Sequence, residues 1–181
     1  MIKKMIQIVN YLLKLNHYCL NYTKLIKLLY LADREALIKW DITITKDSYT
    51  SLDNGIVLSN LYDLIKDEGI HENQCLWNTY FITEGYNLKS IIKNNLPEDE
   101  LSDREKGLLK EIFKKYKPYD WKYLAYTVHH NLPEWKDPHG SSIPLSVNEI
   151  LEEIGRTQKE IQDIEKENQA YLEEVKLFNS G

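Results

Sequence analysis

Side chains that ligate metals or carry protons are densest in one stretch, HHNLPEWKDPH, which holds His129, His130, Glu134, Asp137 and His139. Imidazoles and carboxylates are the donors for zinc and for general acid–base catalysis. The spacing lacks the i, i+4 histidine pair of an HExxH helix, however, so packing at a helix end or a surface loop is favoured over a metal-assisted hydrolase. No Gly-rich phosphate loop, GxSxG elbow or Cys–His pair at a recognised spacing occurs elsewhere, and the expectation is a protein that is not an enzyme and needs no cofactor or metal.

A second polar group, Asp33, Arg34 and Glu35, follows an apolar helical stripe. One reading is a solvated helix face laced with ion pairs. The other is a partner surface that Asp33 shares with the turn at Asp53, Asn54 and Gly55 and with Val57 beside it. Tyr30, Tyr49 and Tyr62 offer that surface aromatic area with an orienting hydroxyl, and core packing is their alternative role. Trp135 is read in the same two ways.

The elements that must position these residues follow from periodicity. Ile2, Met5, Ile6, Val9, Leu12 and Leu13 form one stripe and predict a helix over 2–15. Thr23 is the expected N-cap of a second helix reaching Lys39, in which Leu25, Leu28, Leu29, Ala32 and Ala36 recur at helical spacing. Ile42 and Ile44 then alternate with Thr43 and Thr45, which predicts a strand over 42–49. Glycine at 55 permits a turn, and Ser59 is the expected cap of a short helix to Lys66. The aromatic run CLWNTYFIT, followed by Glu84-Gly85, reads as a β-hairpin that joins the 42–49 strand in one small antiparallel sheet.

Ser102 and Glu105 have capping-box spacing ahead of the stripe Leu108, Leu109, Ile112, Phe113 and Tyr116. Pro118 stops that helix, and Asp120 caps another with Trp121, Leu124, Ala125 and Val128 on one side. Ser146 and Glu149 repeat the capping box before Val147, Ile150, Leu151 and Ile154. A charged helix over 158–176 closes the sequence, with Ile161, Ile164, Tyr171, Leu172 and Val175 near heptad positions and polar Asn168 among them. It can dock on the body, pair with a second copy as a homodimer, or enter a partner's groove.

A length of 181 residues with 43% apolar content suits one ordinary domain, here residues 1–156, with an extension over 157–181. The net charge of -5 argues against affinity built on neutralising phosphates, although Lys110, Lys114, Lys115, Lys117 and Lys122 leave a locally basic helical hairpin. A DNA-binding autorepressor is therefore the runner-up. Cys19 and Cys75 signal neither a disulfide scaffold nor a zinc site. The polar interruptions of the first helix and the lack of a long apolar run predict a cytoplasmic protein that does not span a membrane.

The order of elements between Leu25 and Ile65 also resembles the Panacea, or SocA-like, antitoxin domain family. The matching residues are Lys27 to Asp33 (KLLYLAD), then Ile44, Tyr49, Asn54, Gly55 and Val57, and finally Leu61, Tyr62 and Asp63. Ile56 stands where the family usually has proline. The resemblance runs over roughly residues 6–154 and implies a mainly helical α+β fold with a small antiparallel β-sheet. It further implies an antitoxin of a bacterial or phage type II toxin–antitoxin pair, whose partner is a cognate protein toxin and whose second partner, by similarity to one family member, is a protease.

Overall fold

The computed structural model describes residues 2–93 and 96–179, without the side chains of residues 171, 172 and 174–179. Helix α1, Ile2–Leu15, buries Met5, Ile6, Val9, Leu12 and Leu13 of the predicted stripe, with Ile2 half-buried at its start. A short strand β1, Cys19–Asn21, leads directly into α2, Tyr22–Trp40. Asn21 rather than Thr23 caps α2, accepting from the Lys24 N–H at 3.0 Å. The chain leaves β1 extended, so Asn21 occupies the last non-helical position while Thr23 already lies in the first turn. Leu25, Leu28, Leu29, Ala32 and Ala36 are buried, as their spacing predicts.

The expected strand over 42–49 does not form. The strand β2 is Tyr49–Leu52, and it pairs with β3, Gly55–Leu58. The reason lies in the backbone: the N–H groups of Ile44 and Thr45 are taken by the Asp33 carboxylate, which replaces a ladder partner. Ser59 does not cap α3, Ser59–Lys66, because the strand runs to Leu58 and Ser59 is already helical. The Asp47 carboxylate supplies the cap from outside, accepting from the N–H groups of Asn60 at 3.0 Å and Leu61 at 3.1 Å.

The aromatic run is half helix. Helix α4 covers His71–Tyr80, with Gln74 and Trp77 buried at helical spacing, and only then does the hairpin of β4, Phe81–Glu84, and β5, Asn87–Ser90, begin. Helix α5, Asp103–Tyr116, starts on the Ser102–Glu105 capping box. Asp120 accepts from the Tyr123 N–H at 2.9 Å, but the turn it opens is a π-helix, Tyr123–Val128, followed by a 3₁₀ turn, His129–Asn131. Strand β6, Ile143–Leu145, precedes α6, Val147–Glu153, which carries the second capping box. Helix α7 is Gln158–Asn179.

In place of one sheet there are two, each three-stranded and antiparallel, in the orders β1-β5-β4 and β3-β2-β6. The fold is α+β and mainly helical. The start of α7 docks on the body, with Ile161 buried, Ile164 packed on the core and the Asn148 amide donating to Glu165 at 2.7 Å. The expected seam at Tyr171, Leu172 and Val175 lies outside the described side chains. No helix among the described residues is long and apolar enough to cross a membrane.

The β2–β3 turn depends on Gly55, which sits at φ +88°. A Cβ there would stand 2.7 Å from the Cβ of His129. Gly55→Ala is expected to lower unfolding stability by roughly 1–3 kcal/mol. Gly85→Ala, also at positive φ but with open space around it, should cost less. Urea denaturation of the two variants checks the order.

Candidate partner-binding cleft

Three polar side chains at helical spacing on α2, Lys27, Tyr30 and Asp33, are all buried. Each reaches a different segment. The Lys27 ammonium donates to the Ile56 carbonyl on β3 at 2.8 Å. The Tyr30 hydroxyl donates to Glu134 Oε1 at 2.7 Å, where the Arg34 Nε–H also donates at 2.6 Å. Asp33 accepts from the N–H groups of Ile44 at 2.7 Å and Thr45 at 2.9 Å, from the Tyr49 hydroxyl at 2.8 Å, and from the Thr45 hydroxyl.

Burial moves the acidities of these groups, because a low-dielectric site disfavours whichever form is charged. It lowers Lys27 to about 7 and raises the Tyr30 and Tyr49 hydroxyls. Asp33 is pushed up by burial and held back by its hydrogen bonds, with the net result at about 6. His129, fully buried beneath Gly55, is held well below the usual imidazole range by burial and then by the neighbouring Lys27.

The hairpin tip, Asp53 and Asn54, is exposed yet held by the segment after α5. The Tyr126 hydroxyl donates to Asn54 Oδ1 at 2.6 Å, and His130 Nε2 donates to the Asp53 carbonyl at 2.8 Å. Trp135 Nε1 donates to the Leu52 carbonyl at 3.2 Å, and the Gly140 N–H to Asp53 Oδ1 at 3.0 Å. The rings reinforce one another: His130 stacks on Trp135 at 3.8 Å and meets Tyr126 edge-on at 5.2 Å.

This accounts for the histidine-rich stretch. His129 Nε2 donates to the Lys27 carbonyl at 3.2 Å, while its Nδ1 has no hydrogen-bond partner among the described residues. Glu134 belongs to Tyr30 and Arg34, and Asp137 and His139 are not buried. Asp137 and His139 pair with each other at 3.5 Å, and among the described residues no group of three or more His, Cys, Asp or Glu is arranged to hold a metal ion.

Beside the tip opens a cleft of about 690 Å³, within the usual range of ligand pockets. Asp53, Asn54 and Val57 line it from the hairpin, Tyr62 and Lys66 from α3, Tyr22, Ile26 and Lys27 from α2, together with Trp121 and with Tyr86, whose ring lies 6.2 Å from that of Tyr22. Lys66 Nζ donates to the Tyr22 hydroxyl at 2.9 Å and stands over the rings of Tyr22 at 4.8 Å and Tyr62 at 5.6 Å.

Of the residues singled out from the sequence, Asp53, Asn54, Val57 and Tyr62 come together on the cleft, and Trp135 braces the tip from behind. Tyr30, Asp33, Tyr49 and Gly55 are buried, so they shape the site from beneath. Lys66, Trp121 and Tyr126 are not legible as site residues in the sequence, whereas Lys27 figures there only in the family resemblance and Glu134 only as a candidate metal or acid–base group. Lys27 carried a legible signal, since it shares a helix face with Tyr30 and Asp33 inside an otherwise apolar run.

A family model described as "Antitoxin SocA-like, Panacea domain" matches residues 25–136. The matched span contains the polar face of α2, the hairpin, the π-helix and Trp135. Neither curated proteins nor solved structures give a match.

The depressed Lys27 acidity has a measurable sign. Between about 7 and its ordinary 10.5 the unfolded chain holds a proton that the folded chain does not, so this group adds stability as pH rises. The stability of the native sequence relative to Lys27→Met is expected to increase by on the order of a few kcal/mol from pH 7 to pH 10. Chemical denaturation of both proteins across that range tests it, and a flat difference would mean that Lys27 stays charged in the fold.

Proposed function

The chain belongs to the SocA-like, Panacea-domain antitoxin family, and from that premise we propose that it neutralises a cognate protein toxin of a type II toxin–antitoxin pair by direct contact at the cleft and the clamped hairpin tip. The observation that carries this reading is the tip itself: Asp53 and Asn54 are exposed but fixed by hydrogen bonds from Tyr126, His130 and Gly140. A loop already held in one conformation loses little freedom on binding, so more of the contact energy remains as affinity. The wall beside it is rich in tyrosine and tryptophan, the side chains that dominate binding energy at protein interfaces. Neutralisation of this kind asks no chemistry of the chain.

Co-expression with the product of the adjacent gene is expected to restore growth, and the two proteins are expected to copurify. Tyr62→Ala and Trp121→Ala should each weaken the complex about tenfold, the scale of a single interface anchor, with thermal stability little changed. Absence of both rescue and complex formation with any neighbouring product would refute the reading. A toxin level that falls on co-expression only in a strain with its proteases intact would mean delivery for degradation instead of simple blocking.

A further inference from the structure

The cleft contains two lysines, and among the described residues neither pairs with a carboxylate. Lys27 is 1% exposed and lines the cleft, with one hydrogen bond, to the Ile56 carbonyl, although an ammonium has three donors. Lys66 is exposed, donates to the Tyr22 hydroxyl, stands over two tyrosine rings and feels the more distant Glu68 carboxylate. The charged and titratable groups around Lys27 are few: His129, kept uncharged by burial, and, across the cleft lining, Lys66 and Asp53. Asp53 is already engaged by the Gly140 N–H.

We propose that the cleft receives one aspartate or glutamate side chain from an extended segment of the partner protein, its carboxylate drawn to Lys27 and Lys66 and its flanking residues laid against Tyr22, Tyr62 and Trp121. This rests on the partner-binding reading above and adds the chemistry of what is bound. Folding has already removed water from Lys27, so an incoming carboxylate meets a poorly solvated amine, favours its protonated form and gains a charge-assisted hydrogen bond where such bonds are strong. The tyrosine and tryptophan walls suit the apolar parts of a peptide. A phosphodiester chain fits less well: two lysines offer few contacts, Asp53 stands on the rim, and the whole chain carries a net charge of -5.

Random heptapeptides displayed on phage and selected on the full chain test the proposal without knowledge of the toxin. Selected peptides are expected to carry an Asp or Glu at a fixed position. In fluorescence anisotropy, changing that residue to Asn or Gln should weaken binding at least tenfold on the native chain and several-fold less than that on Lys66→Met or Lys27→Met. Lys66 is exposed, so its variant keeps the test decisive even where Lys27→Met fails to fold. Selection of no peptides, of peptides without an acidic residue, or an equal loss on the lysine variants would overturn the proposal. So would displacement of the selected peptide by a 20-nucleotide oligothymidylate, which would assign the lysines to phosphate. If the chain copurifies with its toxin while showing no acidic preference, this inference fails and the antitoxin reading stands; if the toxin does not bind either, both fail.

Discussion

The structure turns on the burial of polar groups along one face of α2. Lys27, Tyr30 and Asp33 enter an apolar interior in which an unsatisfied donor, acceptor or charge costs more than most single contacts return. Each therefore needs its partner: the Ile56 carbonyl, Glu134, and the backbone at Ile44 and Thr45 together with Tyr49. Ile56 and Tyr49 lie on the β2–β3 hairpin, and Ile44, Thr45 and Glu134 lie on segments with no regular secondary structure of their own. The helix thus fixes the placement of the β2–β3 hairpin, the loop ahead of it and the turn at Glu134 through one rigid scaffold.

That arrangement explains why an exposed turn is so well determined. From beneath, His129 packs against Gly55, and Lys27 holds β3. From the side, the π-helix and the turn after it bring Tyr126, His130 and Trp135 onto the tip. A π-helix is a costly winding that persists where a particular side-chain placement requires it, and here the ring ladder it supports ends on the hairpin.

Much of the helical scaffold was legible in the sequence because amphipathic stripes and capping boxes are local signals. The boundaries of α1 and the starts of α5 and α6 follow from Ile2 to Leu13, Ser102 with Glu105, and Ser146 with Glu149. The strands were less legible. Residues 42–48 alternate like a strand, but the N–H groups of Ile44 and Thr45 are taken by Asp33 and not by a neighbouring strand, a non-local choice invisible in periodicity. Aromatic content at 75–80 suggested a strand, yet Gln74 and Trp77 make it a helix. The three-residue strands β1 and β6 are too short to leave a pattern. The family resemblance located the right residues between 27 and 63, but burial divides them: Tyr30, Asp33 and Tyr49 lie inside, and Asp53, Asn54 and Tyr62 line the cleft. Ile56, in the place of the family's proline, leaves the contact with Lys27 intact, since Lys27 uses the carbonyl that proline also carries.

Hydrogen–deuterium exchange on the copurified complex tests the central claim most directly, that the α2-supported hairpin tip and its cleft form the toxin-facing surface. The account predicts new protection of backbone amides at 52–57 and 121–135 on complex formation, with little change across α5. Protection confined to α7, with the hairpin tip exchanging as in the unbound protein, would contradict it.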